Sequence, residues 1–257
     1  MTRVFAVVAG ILAAAALNAG CSGTATDQNA TETPSAIRVF TAASLTASFT
    51  ELGTLFEDSH PGTRVTFNLA GSSELVTQLT QGAPADVFAS ADVKNMAKAV
   101  DAGLAAGPPI DFAANTLTIV TTPGNPKGIT AFADLSRPGT SVVVCAPQVP
   151  CGSATETVEH VTGVKLHPVS EESAVTDVLG KITSGQADAG LVYVTDARGA
   201  GDKVTEVAFP ESSQAVNTYP IAVLTDSTHP ATAQEFVDFV TGPTGRKVLS
   251  EAGFTAP

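Results

Sequence analysis

Positive charge is scarce in this 257-residue chain: 13 Lys and Arg stand against 25 Asp and Glu, for a formal net charge of −12. A nucleic-acid-binding surface needs a basic face for the phosphates, so that class of function is excluded. The same balance works against drawing in an anion by long-range charge, and any anion site must be local and built from dipoles. Histidine is thin as well. His60, His160, His167 and His229 are scattered, with no HxxxH and no Cys and His cluster, so no zinc site is expected. Neither a GxSxG elbow nor a GxxxxGK phosphate loop occurs. The RGAG at 198–201 holds only a fragment of a dinucleotide fingerprint and leads into a strand pattern, so it reads as a turn. The apolar run from Val4 to Leu17 is shorter than the about 20 residues that a membrane span requires.

That run nevertheless has a purpose. Arg3 is the only charge before it, and small residues lead from it into Cys21, which is the layout of an export signal over residues 1–20. LNAGC resembles the lipobox of bacterial lipoproteins, although Asn18 occupies the slot where that motif has Leu. The resemblance implies lipidation of Cys21 and anchoring to the outer face of the bacterial cell membrane, with simple secretion as the alternative. Residues 21–36 are polar and small and read as a flexible tether. The remaining body, 37–257, can bury one large or two modest cores. Cys145 and Cys151 remain as a pair in a chain bound for an oxidising space, so a disulfide stapling the loop APQVP is favoured over two buried thiols.

From Ile37 onward short β-branched runs alternate with helical patterns, which predicts an α/β body with a mostly parallel sheet. Strands are expected at 37–41, 64–69, 86–89 and 117–120, with helices at 45–58, 74–81 and 92–102 between them. A second set follows: strands at 141–145, 165–169 and 189–194, helices at 154–161 and 173–184. Ser153 and Glu156 have capping-box spacing. A strand at 219–224 returns to the first set, and helices near 233–240 and 245–252 close it. The domains expected are therefore lobe 1, residues 37–115 plus 219–257, and lobe 2, residues 116–218, joined by two crossings with a cleft between them.

The stretch around which the chain is organised is VFTAASLTASFTELGTLF, residues 39–56, an apolar strand that runs into an amphipathic helix. Ser44 stands at or beside the helix start, where unpaired amides, the helix dipole and a hydroxyl offer an anion site without a cation. The device recurs in LAGSSEL (69–75), with Ser72 and Ser73, in VPCGSATE (149–156), with Cys151, and in SEESAVTD (170–177). Four such helix starts directed at one cleft would gather donors around a small, strongly charged anion.

FTAASLTASF, LAGSSELVTQLTQGAPADVFASAD, VPCGSATE and GQADAGLVYVTDA together resemble the molybdate-binding proteins of ABC transporters, over nearly all of 37–257. That resemblance implies the two-lobed type II periplasmic-binding-protein fold, capture of molybdate or tungstate in a dry cleft, no cofactor, no catalysis, and an ABC permease as partner of a monomeric binding protein. It also implies a ligand shell: Ser44 and Ser72 through hydroxyl and amide, with Ser73 as the competing choice; Cys151 and Val175 through main-chain NH; and Tyr193 through its hydroxyl. The metal would enter only as the oxyanion. Cys151 stands where the family usually has Ala in VPAG, and Gly71 also departs from the commonest pattern. Two other readings stay open. One is a binding protein for another small anion, sulfate or an organic acid, for which Arg137 or Arg198 could form a clamp. The other is a secreted serine hydrolase using Ser44 or Ser72.

Overall fold

The computed structural model describes residues 35–257; the expected export signal, Cys21 and most of the tether lie outside the described residues. Strand β1 (Ser35–Ala42) starts two residues before the expected body and runs into a 3₁₀ turn at Ala43–Leu45 and then helix α1 (Thr46–Ser59). Phe49, Leu52 and Phe56 recur at helical spacing on α1 and are completely buried, each contributing about 2–3 kcal/mol by leaving water. Next come β2 (Thr63–Ala70), α2 (Ser72–Thr80), β3 (Val87–Ala89) and α3 (Val93–Asp101). Asp92 caps α3, its carboxylate accepting from the Asn95 amide at 2.8 Å.

The chain continues through β4 (Ile110–Asn115), a strand missed in the sequence, to β5 (Leu117–Thr121), β6 (Val142–Cys145) and α4 (Pro150–Thr162). Beyond these lie β7 (Ser170–Glu172), α5 (Val175–Thr183), β8 (Ala189–Tyr193) and α6 (Val194–Ala200). The last elements are β9 (Thr205–Val207), β10 (Asn217–Val223), α7 (Pro230–Thr241) and α8 (Pro243–Ala252). Two five-stranded sheets result, ordered β2-β1-β3-β10-β4 and β7-β6-β8-β5-β9. The chain passes between them at Thr116 and again between β9 and β10. We call the first sheet with its helices lobe 1 and the second lobe 2.

Neither sheet is as parallel as the alternation predicts. β10 is antiparallel to β3 and β4, and β5 is antiparallel to β8 and β9. These are the two strands that arrive from the opposite lobe. The parallel strands run toward the lobe junction, whereas a strand that has just crossed it must run away. Lobe 1 buries one apolar cluster around Phe49, Phe56 and Phe236 and another around Leu75, Phe88 and Met96; lobe 2 has its own, around Phe132, Val178 and Leu191.

Several local expectations are corrected. The strand expected at 165–169 is displaced to Ser170–Glu172: Pro168 brings no NH to a ladder, and the Leu166 amide donates instead to the Glu159 carboxylate at 2.6 Å. Ser153 is no cap, because α4 already starts at Pro150, and the Ser153 amide donates to the Val149 carbonyl. Pro150, Pro230 and Pro243 each sit in a first helical turn, a start signal that moves α4 and α7 earlier than apolar spacing suggests. RGAG is not a free turn: Arg198–Ala200 end α6, and Gly201, at φ +54°, terminates it.

Candidate functional site

In lobe 1, β1 and β2 pair in parallel with Ala42 opposite Ala70, so the segments after them open on one edge, carrying Ser44 and Ser72. In lobe 2, β6 lies parallel to both β7 and β8, which brings the start of α4, the start of α5 and the end of β8 to one edge. The two edges face each other across a small cavity of about 10 Å³, far below the about 300–1,000 Å³ of sites for drug-sized ligands. Ser44, Ser72, Cys151, Val175 and Tyr193 all line it, as does Gly71; Ser73 does not. Ala42, Ala43, Ala91, Val149 and Pro150 supply the rest of a largely apolar wall.

Each lining donor is held by its element. Ser44 falls inside the 3₁₀ turn, directly before Leu45, the N-cap of α1, and its hydroxyl lies 3.0 Å from the Tyr219 hydroxyl. The Ser72 hydroxyl oxygen accepts from the Ala91 amide at 2.9 Å, which leaves its proton free to donate elsewhere. Cys151 and Val175 occupy the first turns of α4 and α5, where amides have no acceptor within the helix. A disulfide joins Cys151 to Cys145, with a Cα–Cα distance of 5.6 Å, and ties the start of α4 to the end of β6.

Tyr193 is 1% exposed, and its hydroxyl has no hydrogen-bond partner. Burial pushes its pKa well above the usual phenol value, so the hydroxyl keeps its proton and remains a donor. Tyr219, raised likewise by burial, sits with its ring centroid 6.0 Å from that of Tyr193. Two carboxyls stand close by. Burial raises Asp196 to about 7, opposed by the Tyr193 amide, which donates to its carboxylate at 3.0 Å. Asp92 is raised by burial as well, against bonds from Asn95 and Ser90. The shift of Asp196 reduces the negative charge that an entering anion meets.

The sequence reading missed Tyr219, placed there only as a strand residue. Its sole signal was that it is one of two tyrosines in the chain, both of which meet at the site. Also missed were the links near the crossings: Asn115 donates to Thr195 at 2.8 Å, Asn217 to the Ala91 carbonyl at 2.9 Å, and Asn95 to the Gln148 carbonyl at 3.4 Å. Neither Arg137, paired with Asp134 at 2.5 Å, nor the exposed Arg198 lines the cavity, and none of the four histidines does. Ser44 and Ser72 therefore have no histidine beside them in the cavity. Among the described residues no group of His, Cys, Asp and Glu could hold a metal ion.

The family model for bacterial extracellular solute-binding proteins matches residues 37–255. The molybdate-binding protein ModA of Mycobacterium tuberculosis is 58% identical over 221 residues, covering 86% of this chain and 85% of that protein. Among solved structures, the periplasmic molybdate-binding protein of Azotobacter vinelandii superimposes with a TM-score of 0.76 at 23% identity, over 86% of this chain and 99% of that one. The sulfate-binding protein SubI of M. tuberculosis gives 0.71 at 25% identity, over 86% of this chain and 87% of that one. The two-lobed fold is common to these proteins.

Proposed function

The chain belongs to the bacterial extracellular solute-binding protein family, and from that premise we propose that it captures molybdate outside the membrane and delivers it to an ABC permease. One observation carries the reading: the orphan hydroxyl of Tyr193, buried and protonated, lines a cavity that it shares with the hydroxyl-bearing Ser44 and Ser72 and with the helix starts at Cys151 and Val175. An unpaired buried hydroxyl costs about 1–3 kcal/mol, and an acceptor arriving in the cavity removes that cost.

The shell we assign is Ser44 and Ser72 through their hydroxyls, Cys151 and Val175 through their amides, and Tyr193 through its hydroxyl. Molybdate at neutral pH carries no proton, so all four oxygens accept and none donates. Hydrogen phosphate would bring a donor with no acceptor to meet it, at about 1–3 kcal/mol. Sulfate has the acceptor pattern of molybdate but is smaller, so the distance to which the lobes close separates the two. Tungstate, alike in shape and charge, is a second ligand. The work is binding and lobe closure, with no bond made or broken. Lipidation at Cys21 would hold the monomer beside its permease.

Isothermal titration of the chain from residue 22 onward, with molybdate, tungstate, sulfate and phosphate in turn, tests the proposal. One-to-one binding of the first two with negligible heat from the others is the expected result. A response to sulfate or phosphate alongside silence with molybdate would sink it.

A further inference from the structure

Gly71 is the N-cap residue of α2, immediately before Ser72. Its backbone angles, φ −62° and ψ 141°, suit any residue, so local conformation does not call for glycine. The reason for it lies in the other lobe. A Cβ at this position would stand 2.0 Å from the carbonyl oxygen of Ser173 and 3.6 Å from Cγ1 of Val149. The first distance is deep overlap, and the obstacle is main chain, which cannot rotate aside as a side-chain tip does. Ser173 directly precedes Ala174, the N-cap of α5, and lies two places before Val175. The glycine thus sits where the start of α2, carrying Ser72, comes against the start of α5, carrying Val175.

We infer that the absence of a side chain at position 71 sets how far the two lobes close, and through that distance how tightly the anion is held. The inference rests on the capture reading above. Any Cβ at 71 would hold Ser173 off by at least about 1 Å before ordinary contact is restored. That displacement carries the Val175 amide away from the Ser72 hydroxyl, and donors near 3 Å from a shared anion move beyond useful hydrogen-bond range. The Asn95 to Gln148 contact between the lobes, already 3.4 Å long, is stretched with it. An open form has no such clash, because Gly71 and Ser173 meet only when the lobes do.

The test compares the parent chain with Gly71→Ala and Gly71→Ser by molybdate titration, by small-angle scattering with and without molybdate, and by thermal unfolding without ligand. The variants should bind molybdate about tenfold to a hundredfold more weakly, the loss expected for one or two weakened charge-assisted hydrogen bonds. Their compaction on adding molybdate should be smaller, and their ligand-free Tm should equal the parent's. Parental affinity with full compaction overturns the inference, and so does weaker binding accompanied by a lowered ligand-free Tm. A parent chain that fails to bind molybdate overturns the capture reading and this inference together, which distinguishes that failure from a parent that binds and a variant that binds equally well.

Discussion

Replacing Tyr193 with Phe deletes one oxygen from the site and leaves the ring where it packs, 1% exposed against Tyr219. No protein group bonds that oxygen, so its loss breaks no hydrogen bond within the fold. In the complex the same oxygen donates to a dianion through a charge-assisted hydrogen bond of about 1.5–3 kcal/mol, so its loss weakens binding about 10- to 150-fold. Weaker binding without lost stability is a pairing that a merely misfolded variant would not produce. Titration calorimetry of Tyr193→Phe with molybdate measures the first, and scanning calorimetry without ligand the second. Affinity should fall within that range while the ligand-free Tm does not fall. Unchanged affinity would refute the assignment of Tyr193 to the shell. A lowered ligand-free Tm would refute the statement that its hydroxyl has no partner within the protein.

Tyr219→Phe should weaken molybdate binding by a smaller factor, about 3- to 10-fold, because it frees the Ser44 hydroxyl without removing a donor to the anion; parallel titrations of the two Phe variants give the order. Replacing Cys145 and Cys151 together by Ser opens a clip between residues 6 positions apart, with a loss of about 2 kcal/mol seen as a lower Tm, and weakens molybdate binding because the start of α4 is no longer tied down. Asp196, raised from 3.8 to about 7, binds its proton more tightly in the folded chain than in the unfolded one. The stability this contributes is complete below pH 3.8 and lost as pH rises through about 7, so the folded protein carries an unfavourable buried charge above neutrality. Asp196→Asn should therefore raise the Tm at pH 8 by the equivalent of about 1–3 kcal/mol, with the gain shrinking toward pH 5 in thermal melts.

Much of this protein is written in short-range chemistry. The apolar spacing of Phe49, Leu52 and Phe56 predicts α1, the alternation of strands and helices predicts the α/β body, and small residues and serines at strand ends mark where anion-binding helix starts would lie. Period, capping and turn residues act over a few positions, so a linear reading reaches them. The displaced strand at Ser170–Glu172 and the early start of α4 show its limit even locally, since a neighbouring carboxylate and a proline outweighed apolar spacing there. The reversed directions of β5 and β10 follow from where the chain crosses between lobes, which no single segment encodes. The site belongs to tertiary structure in the same way: Ser44 meets Tyr219 across 175 positions of sequence, and Gly71 owes its identity to the carbonyl of Ser173, a residue of the opposite lobe. Convergence of donors depends on register and on closure, and both are decided by packing between segments far apart in the chain.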